Sequence, residues 1–161
     1  MRLVAYNIQY GVGKDGICDH GRIAQAVDCA DVIALQEVVR YMPITEAGDQ
    51  PAELAALPPG YYWVYGAGVD LDRSELGEDG AIVNRRMQFG NMLLARRPIL
   101  STRQFMLPKL SAVDGQGSQC VALEGIVETD SGNLAGRVRT ARIDEHAQGS
   151  DHQPVWVELE L

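Results

Sequence analysis

The residues of this chain that could do chemistry gather toward its two ends. Near the C-terminus, Gly149-Ser150-Asp151-His152-Gln153-Pro154 runs straight into Val155-Trp156-Val157-Glu158-Leu159, a polar loop followed by an apolar run. A carboxylate beside an imidazole offers a hard oxygen ligand for a divalent cation and a group that exchanges a proton near neutral pH. That is the minimum for metal-assisted phosphoester chemistry. Taken alone, the pair reads more readily as a solvated turn before a strand. Two stretches near the N-terminus give it weight.

The elements that must position these residues are legible in outline. Arg2 to Ile8 reads as a strand with Leu3 and Ala5 on one face and Val4, Tyr6 and Ile8 on the other, so both faces are expected to be buried. Asp19 can cap a short helix in which Ile23, Val27 and Ala30 share a face. Val32-Ile33-Ala34-Leu35 is a second apolar strand, bounded by Gln36-Glu37. Strand, helix, strand implies a right-handed crossover and two parallel strands. Asn7 and Glu37 then stand at the carboxyl ends of both, where ligand sites of open α/β sheets lie.

Further along, Glu46 to Leu57 can form a helix that Gly48 and Pro51 delay and that Pro58-Pro59-Gly60 ends. Tyr61 to Tyr65 reads as an aromatic strand, and Gly66 to Asp79, rich in Gly and acidic residues, reads as a surface loop. Phe89 to Ala95 and Ile99 to Leu107 read as strands around a turn at Arg96-Arg97-Pro98, with Gln119 to Thr129 as another. Asn91 either ties the strand-edge backbone or meets a phosphate. His20 and His146 read as surface histidines without a second ligand at metal spacing, and Arg85-Arg86 and Arg96-Arg97 as solvated loop charges.

Composition narrows the partners. With 161 residues and 46% apolar, the chain suits one soluble globular domain. Its 22 Asp and Glu against 14 Lys and Arg give a net charge of −8, which repels polyanions and points to a small phosphorylated substrate rather than a nucleic acid. Cys18, Cys29 and Cys120 lack Cys-x-x-Cys spacing, so they read as reduced thiols used in packing, in a cytoplasmic protein. No signal-peptide pattern and no apolar run of membrane-spanning length is present.

Four stretches in order carry a family resemblance: Leu3-Val4-Ala5-Tyr6-Asn7-Ile8, Ala30 through Val38, Phe89 through Arg96, and Gly149 through Val155. They resemble the endonuclease/exonuclease/phosphatase superfamily, the DNase I-like phosphoesterases. The resemblance implies an α/β fold built as a four-layer α-β-β-α sandwich, two mixed sheets flanked by helices. It also implies Mg²⁺ or Mn²⁺ as cofactor. Carried over by position, Asn7, Glu37 and Asp151 would serve the metal, His152 would be the catalytic imidazole with Asp151 and Asn7 beside it, and Asn91 would contact substrate.

The chain also departs from that family. Such domains run to about 200–250 residues, and the Thr-His-Leu-like and Gly-Asp-Phe-Asn motifs, with the Asp that orients the histidine, have no counterpart here. Leu134-Ala135-Gly136-Arg137 leads directly to the segment before the final motif, as if an internal deletion were joined near 135–137 of a single domain. Asp144 is the nearest substitute in sequence for the orienting acid. The expected result is a truncated sandwich. Val155 to Leu161 should pair beside the strands ending at Asn7 and Glu37, and the second sheet should be reduced to Gln119–Thr129 with Val138–Ile143. An apolar sheet face left open would invite self-association, and turnover would be low or absent, leaving a non-catalytic module with a weak cation site as the alternative.

Overall fold

The structure is a computed structural model, and it describes residues 1–43, 48–57, 59–108, 120–129 and 138–160. The proposed deletion junction near 135–137 and Leu161 lie outside the described residues. The chain begins with β1 (Arg2–Asn7), a 3-10 turn (Gln9–Gly11), α1 (His20–Ala26) and β2 (Val32–Arg40). There follow α2 (Gln50–Ala56), β3 (Tyr62–Asp72), the short hairpin β4 (Glu75–Leu76) and β5 (Ile82–Val83), and β6 (Arg86–Ala95). The last elements are β7 (Ile99–Met106), β8 (Val121–Val127), β9 (Val138–Ile143) and β10 (Val155–Leu159).

A six-stranded sheet in the order β3-β6-β2-β1-β10-β9 organises the molecule. β1 and β2 pair in parallel, as the strand–helix–strand pattern requires, with Leu3 opposite Val32 and Asn7 opposite Gln36. β10 returns antiparallel to β1, placing Trp156 opposite Val4. α1 starts where Asp19 accepts hydrogen bonds from the amides of Gly21 and Arg22, and α2 where Asp49 accepts from Ala52 with a proline in its first turn. Both helices cover one face of the sheet: Ile23, Val27 and Leu54 join Val4, Tyr6, Ile33, Leu35, Met92, Leu94 and Trp156 in one buried cluster.

β7 and β8 form a separate antiparallel pair on the other face. Its contacts are specific. The Gly125 position on β8 presses against the Leu93 side chain, and Gly66 on β3 faces Leu123 and Gln104. This second sheet therefore lies over β3 and β6. Leu3 is half-buried and Ala5 exposed, so the expectation that both faces of β1 are buried fails: only the Val4, Tyr6 and Ile8 face is closed. β9 also departs from expectation, because Val138–Ile143 hydrogen-bonds to β10 in the main sheet and not to β8.

Three further expectations are corrected. Gly66 to Asp79 is not a loop, since β3 continues to Asp72 against β6 and Glu75–Leu76 pairs with Ile82–Val83. The glycines and acids that suggested a loop are tolerated because the paired backbone of β6 supplies the hydrogen bonds. The cysteines are not core residues: all three are exposed and none is in a disulfide. His20 is not a surface histidine. Its Nδ1 meets Glu53 Oε2 at 3.1 Å, and its Nε2 lies 2.9 Å from Nε2 of the fully buried Gln50. Gln50 also accepts from the Val39 amide and donates to the Tyr10 carbonyl, so one side chain ties α2, β2 and the turn after β1. Because that amide can only donate, His20 Nε2 is the acceptor and Nδ1 carries the proton toward Glu53.

Candidate functional site

β1 places Asn7 after Leu3 and Ala5, on the face opposite the helices, and β2 brings Glu37 beside it. Asn7 Nδ2 donates to Glu37 Oε1 at 2.9 Å, while Asn7 Oδ1 accepts from the Gln9 amide at 3.0 Å. Those two bonds fix the amide orientation and use half of its hydrogen-bonding capacity. In this geometry Asn7 aims and holds the carboxylate, leaving Glu37 Oε2 as the principal oxygen available to a cation.

The way Glu37 reaches Asn7 is local and strained. The register of β2 against β6 shifts between Leu35 and Val38, so Gln36 and Glu37 form a bulge, and Glu37 takes a left-handed φ of 58°. Bulges bend a strand and re-aim a side chain, and a non-glycine residue held left-handed costs on the order of 1–3 kcal/mol that the surroundings must offset. The strain clusters here. Gln9 (φ 44°), Tyr10 (φ 57°), Glu37 and Tyr41 (φ 48°) are four of the five left-handed non-glycine residues among the described residues, and all follow β1 or lie in and after β2. Gly90 stands opposite Val38 on one side and Ala67 on the other, where β3 has its own register shift. A Cβ at Gly90 would collide with the Gly66 carbonyl oxygen, so the paired bulges need glycine.

Sequence reasoning missed Tyr10. Its phenol is pushed up, first by burial and then by the Glu37 charge, which puts the ring within electrostatic reach of that carboxylate. It also packs against Phe89 with ring centroids 6.0 Å apart. The only sequence signal was a tyrosine immediately before a turn glycine, Gly11.

The C-terminal pair stands on a loop with a buried base and an exposed tip. Ser150 is fully buried, and its Oγ accepts from the His152 amide at 3.1 Å and lies 3.3 Å from Asp151 Oδ1. His152 Nε2 and Asp151 Oδ1 are 3.5 Å apart, with side chains 53% and 50% exposed. Beneath them, Tyr6 points its hydroxyl at Gly149. Burial pushes that phenol up to about 12, the Gly149 backbone opposes the shift, and the charges of Asp144 and Asp151 add to it. Asp144 does not orient His152: its Oδ1 accepts from the His146 amide at 3.1 Å. Among the described residues no hydrogen bond or ion pair joins Asp151 or His152 to Asn7 or Glu37.

Asn91 sits on the same face as Asn7 but serves the fold, donating from Nδ2 to the Val121 carbonyl at 2.7 Å and so joining β6 to β8. The other singled-out arginines are not simply solvated. Arg96 lies over the Tyr61 ring and donates to the Ala30 carbonyl, and Arg86 pairs with Asp70 at 2.9 Å. Among the described residues no three His, Cys, Asp or Glu side chains converge as a metal cage. A divalent cation that keeps most of its water needs less, one or two carboxylates plus the oxygens of a phosphorylated ligand, and Glu37 fits that demand.

A mixed sheet with polar side chains held at the carboxyl ends of its parallel strands defines an α/β protein of the kind that binds ligands at that rim. Solved structures sharpen the class. The chain is similar to the crystal structure of an endonuclease/exonuclease/phosphatase from Beutenbergia cavernae DSM 12333, with 28% identity over 81% of this chain and a TM-score of 0.59. It spans 35% of that protein's length. It is also similar in fold to an endonuclease/exonuclease/phosphatase family protein from Leptotrichia buccalis C-1013-b, at 10% identity over the whole of both chains with a TM-score of 0.61. No family model and no curated protein matches the chain. The fold is thus that of endonuclease/exonuclease/phosphatase structures, and it supports the superfamily resemblance carried by the motifs.

Proposed function

We propose that this chain carries a Mg²⁺- or Mn²⁺-dependent phosphoesterase site of much reduced activity, directed at a small phosphodiester or phosphomonoester. The observation that carries the reading is the strained bulge that holds Glu37 against Asn7 at the rim. Glu37 would hold the cation, Asn7 would keep its carboxylate turned toward the rim, and Asp151 would add negative charge on the same side of the fold. The cation, when bound, supplies charge neutralisation at a phosphoryl oxygen. His152 is 53% exposed and stands 3.5 Å from Asp151, so in this reading its imidazole would deliver or accept a proton at the edge of the site.

Two absences of catalytic support set the expected rate. A general acid–base group contributes about 10²–10⁴-fold and a lost transition-state donor costs about 10²–10³-fold, so a site without the central motifs should turn over slowly. A non-catalytic module with a weak cation site is the second reading, favoured because the described partner of His152 is its own neighbour Asp151. Titrating Mn²⁺ by water-proton relaxation and assaying bis(p-nitrophenyl) phosphate separate the two. We expect weak Mn²⁺ binding that Glu37→Gln removes, and slow hydrolysis that His152→Ala removes. Binding without any His152-dependent hydrolysis would select the module, and equal Mn²⁺ affinity in wild type and Glu37→Gln would sink both.

A further inference from the structure

A second cluster of chemistry-bearing side chains lies where the loop after β1 meets the two helices, and the phosphoesterase reading makes no use of it. Cys18 and His20 flank the Asp19 cap of α1, and Asp19 is extended (φ −147°), so the side chains before and after it fall on one side of the chain. A bridge between Val12 and Cys18 closes the loop that presents them. Cys18 Sγ lies 3.7 Å from His20 Nε2 and 3.8 Å from the Tyr10 carbonyl oxygen, both within reach of a thiol hydrogen bond. Cys18 is exposed, while the His20 side chain is mostly covered.

The imidazole is held from both ends. Glu53 on α2 accepts from Nδ1 at 3.1 Å, and the buried Gln50 amide donates to Nε2 at 2.9 Å, so Nε2 presents its lone pair on the side where the thiol stands and shares it between amide and thiol. Thiol, imidazole and carboxylate follow one another as nucleophile, base and orienting group. The resting thiol keeps its proton: burial pushes it up, and the charges of Glu53 and Asp19 add to the shift. The thiolate of a less acidic thiol is the stronger nucleophile, and the neighbouring imidazole gives its proton somewhere to go.

We infer that Cys18 is a site of thiol–disulfide exchange, with His20 as its base and Glu53 as a positioning residue, and that the class of reagent it takes is a low-molecular-weight disulfide. The Cys18 proton passes to His20 Nε2 as the sulfur attacks one sulfur of the disulfide. The bond to Cys18 forms, the reagent's own S–S bond breaks, and the departing thiolate takes the proton from Nε2 and leaves as a thiol. Cys18 is oxidised, one half of the reagent is reduced, and no further oxidant is needed. Cys29 supplies an internal reference: it is also exposed, just beyond α1, but among the described residues no histidine bonds to its sulfur. Exchange at Cys18 requires neither cation nor phosphoester, so it stands or falls apart from the phosphoesterase reading.

The test treats the 161-residue chain with excess cystamine in the absence of oxygen and follows each cysteine separately by peptide mass spectrometry. Cys18 should form the mixed disulfide at a rate that His20→Ala lowers by about 10²-fold, the lower end of what a general base contributes. Glu53→Gln separates the relay from plain electrostatics, because the two act with opposite signs. Loss of a nearby negative charge makes the thiol more acidic and by itself speeds the reaction, whereas loss of the group that orients the imidazole slows it. We expect about tenfold slowing in Glu53→Gln, a part of the full general-base effect, with the Cys29 rate unchanged. The Glu53 side chain is 47% exposed, so this variant keeps the fold and decides the matter even where His20→Ala unfolds the chain. No adduct at Cys18, an equal or faster Cys18 rate in Glu53→Gln or in a folded His20→Ala, or a parallel fall at Cys18 and Cys29 would overturn the inference.

Discussion

At the scale of single residues, the most consequential side chain away from the rim is Tyr6. Its hydroxyl is fully buried, finds no hydrogen-bond partner of good geometry among the described residues, and faces the negative charges of Asp144 and Asp151. Its phenol titrates at about 12 in the folded chain against an ordinary 10. A pKa raised by folding contributes stability that is complete below the unfolded value and is lost as pH rises through the folded one. Between pH 10 and 12 the unfolded chain releases this proton and the folded chain retains it, so stability falls in that window. Tyr65, shifted the same way mainly by burial, adds to the slope. Tyr6→Phe should flatten the alkaline loss by about 2 kcal/mol and leave neutral-pH stability unchanged or somewhat raised, because a buried hydroxyl without a partner carries an uncompensated desolvation cost. Urea unfolding from pH 8 to 11.5 measures both; a steeper alkaline limb in the variant would refute the assignment.

At the scale of elements, the bulged strands decide whether the rim exists. Gly90 lets β2 and β3 approach β6 from both sides, and a methyl group there meets the Gly66 carbonyl oxygen. Gly90→Ala should therefore cost several kcal/mol, roughly 2–4 by the overpacking and strain scale. It should also loosen Glu37 from Asn7, which a drop in Mn²⁺ affinity at temperatures where the variant remains folded would reveal. An unperturbed melting curve would mean that the strands can part without consequence. These elements also show what a sequence displays and what it hides. Alternating apolar residues exposed β1, and the Asp19 cap with Ile23 and Val27 exposed α1, because both signals are local. Asn7 and Glu37 were visible as polar residues ending apolar strands. The bulge that turns Glu37 was not, since it arises from register against β6, some fifty residues away. For the same reason β3 looked like a loop beyond Tyr65: its glycines and acids favour a turn until β6 pairs with them.

At the scale of the whole molecule, the uneven covering of the main sheet governs behaviour in solution. β7 and β8 lie over β3 and β6, while Ala5 on β1, Val155 on β10 and Ile143 on β9 share a register line on the same face. Val155 is 42% and Ile143 60% exposed, and Val138 at the far end of β9 is 60% exposed. Apolar strips of this kind on an edge-bearing sheet drive association. The 161-residue chain should therefore elute as a dimer or larger species in size-exclusion chromatography with light scattering. Val155→Lys with Ile143→Lys should shift it toward monomer and reduce dye binding; a monodisperse, dye-silent wild-type monomer would contradict this. Among the described residues no helix is long and apolar enough to cross a membrane.

The pairing of β1 with β10 has a consequence in time as well as in space. The Met1 amino group donates to the Leu159 carbonyl across 158 positions of chain, and the Leu159 amide returns a bond to the Met1 carbonyl. Closing so long a loop is entropically slow, and contacts of such separation form late in folding. Asn7 and Glu37 stand 30 positions apart on neighbouring parallel strands and take their final geometry from β6, whereas the loop bearing Asp151 and His152 is held between β9 and β10 and takes its place when β10 docks. Assembly thus has an order: a carboxylate that can meet a cation comes into being before the imidazole that would act beside it. Pulse-labelled hydrogen exchange during refolding should protect the β1–β2 amides before those of β10, and simultaneous protection would show that the sheet closes in one step.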